Sequence, residues 1–163
     1  MSNHKAEQIY LLGQEVAPET VQQVIRKAAK IRWGTHLLRW RYFDVVHEGT
    51  TYHRNIMLPS GIWHLLKRIY VDQDWPIGTT QEDLDKVARE VVEDTSTQIY
   101  VYGYYRTDPP RLQWGFFHKA SGIAVVYDME ADLIATVFKP VEGSLFFERQ
   151  IEAVQIDREE WGI

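Results

Sequence analysis

A chain of 163 residues, 45% hydrophobic and 13% aromatic, carries enough apolar material for one domain with a real core, which excludes a disordered tail. Zero cysteines exclude disulfides, thiolate metal sites and a cysteine nucleophile, and no stretch reaches the roughly 18 apolar residues of a membrane-spanning helix. The net charge of −5 is unevenly divided: residues 1–70 hold ten Lys/Arg against five Asp/Glu, and residues 71–163 hold eight against eighteen.

The polar start Met1-Ser2-Asn3-His4-Lys5 lacks the apolar stretch of a secretion signal, so a cytoplasmic location is expected, with no membrane partner. From Pro18 to Ile31, Val21, Val24, Ile25, Ala28 and Ile31 recur at three and four residues, the helical period. After Gly34, the segment from His36 to Val46 is rich in β-branched and aromatic residues. Gly49 followed by Thr50-Thr51-Tyr52 reads as a turn into a second extended run, and together these predict a hairpin. Beyond Pro59-Ser60-Gly61, the spacing of Ile62, Leu65, Leu66 and Ile69 predicts a short helix over about 61–70. Lys67 and Arg68 would complement its dipole in the last turn. Thr79-Thr80-Gln81-Glu82 reads as a capping box opening a helix that carries Leu84, Val87, Ala88, Val91 and Val92 on one stripe and ends near Asp94.

From Thr97 the period changes to two. Strands are expected from Gln98 to Tyr105, Leu112 to Lys119, Ile123 to Asp128 and Leu133 to Lys139, separated by Asp108-Pro109-Pro110, Ser121-Gly122 and Met129-Glu130-Ala131-Asp132. Links this short join antiparallel neighbours. Beyond Gly143, the residues Leu145, Phe146, Phe147 and Ile151 fit either a last strand or a short helix covering one sheet face. The expected architecture is one α+β domain: N-terminal helices and a hairpin, then a four-stranded antiparallel β-meander over about 97–139.

Residues 26–68 hold nine cations against Asp44 and Glu48, with Trp33, Trp40, Tyr42, Phe43, Tyr52 and Trp63 interleaved. Cations for phosphates beside rings on which unpaired bases stack are what single-stranded RNA requires, so Arg39, Trp40, Arg41, His53 and Arg54 are candidate nucleic-acid contacts. The same mixture also describes an ordinary element with a ringed core face and a charged outer one. His36, His47, His53 and His64 match no metal-ligand spacing, so no metal or other cofactor is expected. Tyr100, Tyr102 and Tyr104 share one strand face, available either for base stacking or for packing on the helix near 80–94. Asp128, Glu130 and Asp132 read as a solvated turn. Metal-free RNA cleavage needs a base, an acid and cations for the phosphate, and His118, Lys119, Thr136, Lys139, Arg106 and Arg111 supply those types on or beside the meander.

The run Gly115-Phe116-Phe117-His118-Lys119-Ala120-Ser121-Gly122-Ile123-Ala124-Val125-Val126-Tyr127-Asp128, followed by Leu133-Ile134-Ala135-Thr136-Val137-Phe138-Lys139-Pro140, resembles the C-terminal strands of the barnase/EndoU/colicin/RelE-like ribonuclease toxins, over about residues 115–150. The resemblance implies a metal-independent endoribonuclease acting on RNA, tRNA among its substrates. By that resemblance its site would include Thr136 and Lys139, with His118 beside them, and Arg106, from its chemistry beside the Asp108-Pro109-Pro110 loop, completes the candidate catalytic set. Two features depart from that family: the acidic C-terminal half, and an N-terminal 70 residues with no counterpart. These suit a different class, a non-enzymatic antitoxin, immunity protein or phage-encoded inhibitor. The expected partners are therefore RNA and a cognate inhibitor or target protein.

Overall fold

A computed structural model describes residues 8–30, 40–47, 50–59 and 65–163, and of 40–47 and 50–59 it describes the backbone. The first element is a small hairpin of β1 (Ile9–Leu11) and β2 (Gln14–Val16), closed by Leu12 and Gly13, both at positive φ. Two such residues form the turn whose twist matches a hairpin, but Leu12 in place of Asn or Asp hides the signal in the sequence. Helix α1 (Pro18–Lys30) follows, burying Val21, Val24 and Ala28 as the spacing predicts. The expected hairpin is present as β3 (Trp40–His47) and β4 (Thr50–Pro59), with a register shift between Tyr42 and Phe43. The short helix expected at 61–70 begins outside the described residues. Its second half is a π-helical turn, Lys67–Val71.

Helix α2 (Gln81–Glu93) is capped one residue later than Thr79-x-x-Glu82 suggests. The Thr80 hydroxyl accepts from the Asp83 amide at 3.1 Å, and the Asp83 carboxylate accepts from the Thr80 amide at 2.9 Å. Thr79 instead donates to the Pro76 carbonyl at 2.7 Å. Thr80→Ala removes one half of the reciprocal cap and is expected to lower stability by about 1 kcal/mol, read from a urea unfolding midpoint. The Thr80 bonds hold the Asp83 carboxyl below its ordinary range. A depressed carboxyl stabilises the fold above its unfolded pKa, so this contribution disappears as pH falls below the ordinary carboxylate range. The gap between wild type and Thr80→Ala should therefore narrow in acid.

The meander is β5 (Gln98–Tyr104), β6 (Arg111–His118), β7 (Ile123–Asp128) and β8 (Leu133–Phe138), all antiparallel neighbours. The sheet has five strands rather than four, in the order β8-β7-β6-β5-β9. The two-residue β9 (Val154–Gln155) pairs with the otherwise open edge of β5. Of the two forms open to the segment after Gly143, the helix is the one present: α3 (Leu145–Glu148) crosses one face, and the chain then reaches β9. A final turn of helix, α4 (Arg158–Trp161), is capped by Asp157.

Alternation along the strands creates two cores. On the front face Ile99, Val101, Trp114, Phe116, Val125, Tyr127 and Val137 pack with the apolar stripes of α1 and α2. On the back face Tyr100, Tyr102, Phe117, Ala124, Val126 and Phe138 pack against Phe147 of α3. Tyr100 and Tyr102 thus meet α3 rather than the helix near 80–94. At 1% and 2% exposure neither can stack a base. Asp128, expected in a solvated turn, is 2% exposed and paired with Arg111 at 2.7 Å.

Candidate functional site

The four catalytic candidates fall into three places, with Thr136 and Lys139 on one edge of the sheet and His118 and Arg106 each apart from them. Register sets Phe117, Ala124 and Phe138 in one row across the sheet, so His118, Ile123 and Lys139 form the next row at one end. His118 and Lys139 are therefore two strand spacings apart, about 10 Å, beyond hydrogen-bond reach. Thr136 shares the back face with Val126 and Gly115, opposite the face that carries His118. Arg106 is exposed in the loop between β5 and β6, at the far end of the sheet. Seven residues of strand separate the two ends, about 23 Å.

Two of the four are joined by residues that no local motif had linked to them. Along the outer edge of β8, the Arg68 Nε donates to the Thr136 hydroxyl at 3.2 Å, and its guanidinium lies 4.4 Å from the Phe138 ring centroid. Arg68 also bonds Asp72 at 2.7 Å. Farther along, the Asp74 carboxylate accepts from the Lys139 amide at 3.0 Å, and the Trp75 indole donates to the Val137 carbonyl at 3.1 Å. These contacts occupy backbone groups of a strand edge that would otherwise invite pairing with another chain. The Lys139 ammonium lies 4.9 Å from the Trp75 ring centroid, within cation–π range.

The electrostatics of this seam are mixed. Burial raises the Asp74 carboxyl above its ordinary range, opposed by the Lys139 amide and by the charge of Arg68. A carboxyl pushed upward beside two cations can exchange a proton nearer neutrality than a solvated one. Strand β3 packs against the π-helical turn that carries Arg68, bringing the hairpin of β3 and β4 alongside the seam. Trp40 and Arg41 pair with Pro59 and Leu58 at the open end of that hairpin, and His53 and Arg54 pair with Asp44 and Phe43 past the bulge. Arg39, His36, His64, Trp33 and Trp63 lie outside the described residues.

His118 belongs to a different network. Its Nε2 lies 3.1 Å from the Asp94 carboxylate and its Nδ1 2.7 Å from the Ser121 hydroxyl. At the same end of the sheet, a cavity of about 400 Å³ is lined by Ser96, Thr97, Gln98, Gln155, Asp157 and Arg158, among others. Among the described residues, no group of three His, Asp or Glu is placed to hold a metal ion, and no helix is long and apolar enough to cross a membrane. Comparison with family models, curated proteins and solved structures finds no match for this chain.

Proposed function

We propose that the protein is a metal-independent RNA endonuclease whose site is the seam between the hairpin of β3 and β4 and the outer edge of β8. The observation that carries this reading is Arg68, which touches both Thr136 and Phe138 from a turn packed against β3. Arg68 and Lys139 would neutralise the charge that builds on phosphate oxygens during cleavage. Asp74 is the base in this reading. It takes the 2′-hydroxyl proton as the 2′-oxygen bonds to phosphorus and the bond to the 5′-oxygen breaks. Lys139 returns a proton to the leaving oxygen. The products are a 2′,3′-cyclic phosphate and a 5′-hydroxyl. The hairpin of β3 and β4, whose sequence includes Trp40, Arg41, His53 and Arg54, would hold the strand on either side of the cut. His118 and Arg106 have no role in this reading, because neither reaches the seam.

Incubation of the full chain with total tRNA in EDTA tests it. The wild type should release fragments ending in cyclic phosphate, and Arg68→Ala should slow release about 100-fold, the loss typical of removing one transition-state donor. Asp74→Asn keeps an acceptor for the Lys139 amide and should abolish the acid limb of the pH–rate profile. That limb should lie above the ordinary carboxylate range. A wild type that leaves tRNA intact, or an Arg68→Ala variant that cuts at the wild-type rate, overturns the proposal.

A further inference from the structure

The turn between β6 and β7 carries a hydrogen-bonded chain that the seam does not use. Asp94 follows α2, and its Oδ1 accepts from the Ser96 amide at 2.8 Å and the Ser96 hydroxyl at 2.7 Å. Those bonds, with a smaller contribution from His118, hold its carboxyl below the ordinary range, so near neutral pH it is a carboxylate and accepts only. The His118 Nε2 facing it must then carry the proton. In the neutral ring this leaves Nδ1 as an acceptor, and the Ser121 hydroxyl 2.7 Å away is its donor. Ser121 Oγ also accepts from the Ile123 amide at 3.3 Å, and its proton has the His118 carbonyl at 3.4 Å as a longer second acceptor. A hydroxyl oxygen has two lone pairs, so one remains for attack, and Ser121 is exposed.

We infer that Ser121 is an activated serine nucleophile that takes acyl groups from small esters, with His118 as its base and Asp94 as the positioning residue. The ring nitrogens are used in the opposite sense to the serine-protease arrangement, but such a relay is defined by geometry and roles rather than by atom names. The cavity at this end of the sheet touches the relay only at its Asp94 end, through Ser96, while Ser121 itself is exposed, where a small ester can reach it. In the reaction a bond forms between Ser121 Oγ and the acyl carbon while the ester carbon–oxygen bond breaks. The Oγ proton passes to His118 Nδ1 and then to the departing alkoxide. Water then adds to the acyl carbon, releases the carboxylic acid and restores the serine.

The test is to treat the full chain with p-nitrophenyl acetate, follow p-nitrophenolate release, and locate the acetyl group by peptide mass mapping. The wild type should carry acetyl on Ser121, Ser121→Ala should not, and His118→Gln should acylate at least about 100-fold more slowly, the usual contribution of a general base. Asp94→Asn should alter the pH dependence of acylation, which a purely structural role would leave unchanged. Ser121→Cys keeps a nucleophile at the turn, and its alkylation by iodoacetamide should slow when His118→Gln is added. Acetyl found only on lysines, or on Ser121 at the same rate in His118→Gln, overturns the inference.

Discussion

Phe147→Ala is expected to destabilise the protein by about 3–5 kcal/mol, the range for deleting a fully buried ring. Phe147 is 0% exposed and is the residue through which α3 closes the back face. Its ring stacks on Tyr100 with centroids 5.3 Å apart at 16°, meets Tyr102 at 6.1 Å, and lies at 82° to Phe146 at 5.1 Å. The space it fills exists because Gly115 has no side chain: a Cβ built there would overlap the Phe147 ring. Gly115→Ala should therefore cost about 1–3 kcal/mol by overpacking. The two substitutions act on one volume, so the double variant should be more stable than the sum of the single losses predicts. Urea unfolding with the slope held common reads all three. A loss below about 1 kcal/mol for Phe147→Ala would mean that α3 is not packed on the sheet as described.

The period-two run from Gln98 to Lys139 was legible because each strand alternates and each turn carries Gly, Pro or Asp. Which face met which layer was not. Ile99 and Val101 on one side and Tyr100 and Tyr102 on the other are both apolar enough to be buried, and α2 and α3 are both available to cover them. The fifth strand was hidden because two residues, Val154–Gln155, have no period to read. The buried pair of Arg111 and Asp128 was hidden for another reason. Each lies at a strand terminus, where a charged residue normally meets solvent, and only the pairing of β6 with β7 brings their side chains within reach, Arg111 lying two residues along from the position opposite Asp128. The seam was harder still. Arg68 and Thr136 are 68 positions apart, and in sequence Arg68 is explained fully by its place in a helix's last turn. Asp74 stood in no motif. His118 was singled out for its chemistry, yet its partners Asp94 and Ser121 became visible only once β6 had been set beside the end of α2.

The pair of Arg111 and Asp128 yields the other large expected effect. Asp128 is 2% exposed, its Oδ2 lies 2.7 Å from Arg111 Nε, and its Oδ1 accepts from the Ala131 amide at 3.0 Å. Arg111→Met strands that carboxylate in the interior and should cost about 3–5 kcal/mol, because the desolvation of Asp128 is then uncompensated. The Arg111 side chain is 26% exposed, so water entering the gap should bring the loss toward the lower figure. Asp128→Leu alone leaves Arg111 free to turn toward solvent and forfeits the turn bond to Ala131, a smaller penalty. In the double variant both charges are gone, and stability should recover to near that of Asp128→Leu. Tyr102 sharpens the experiment. Burial pushes its phenol far above the ordinary tyrosine range, and the charge of Asp128 adds to that shift. Its hydroxyl donates to Gln113 at 3.2 Å, one row from Arg111 on the same face. If Arg111 balances Asp128, its removal should leave Tyr102 un-ionised in ultraviolet titration until the fold itself opens in alkali, and opening should come at lower pH than in the wild type. Equal stability of Arg111→Met and wild type would mean that Asp128 finds its compensation elsewhere in the back-face layer.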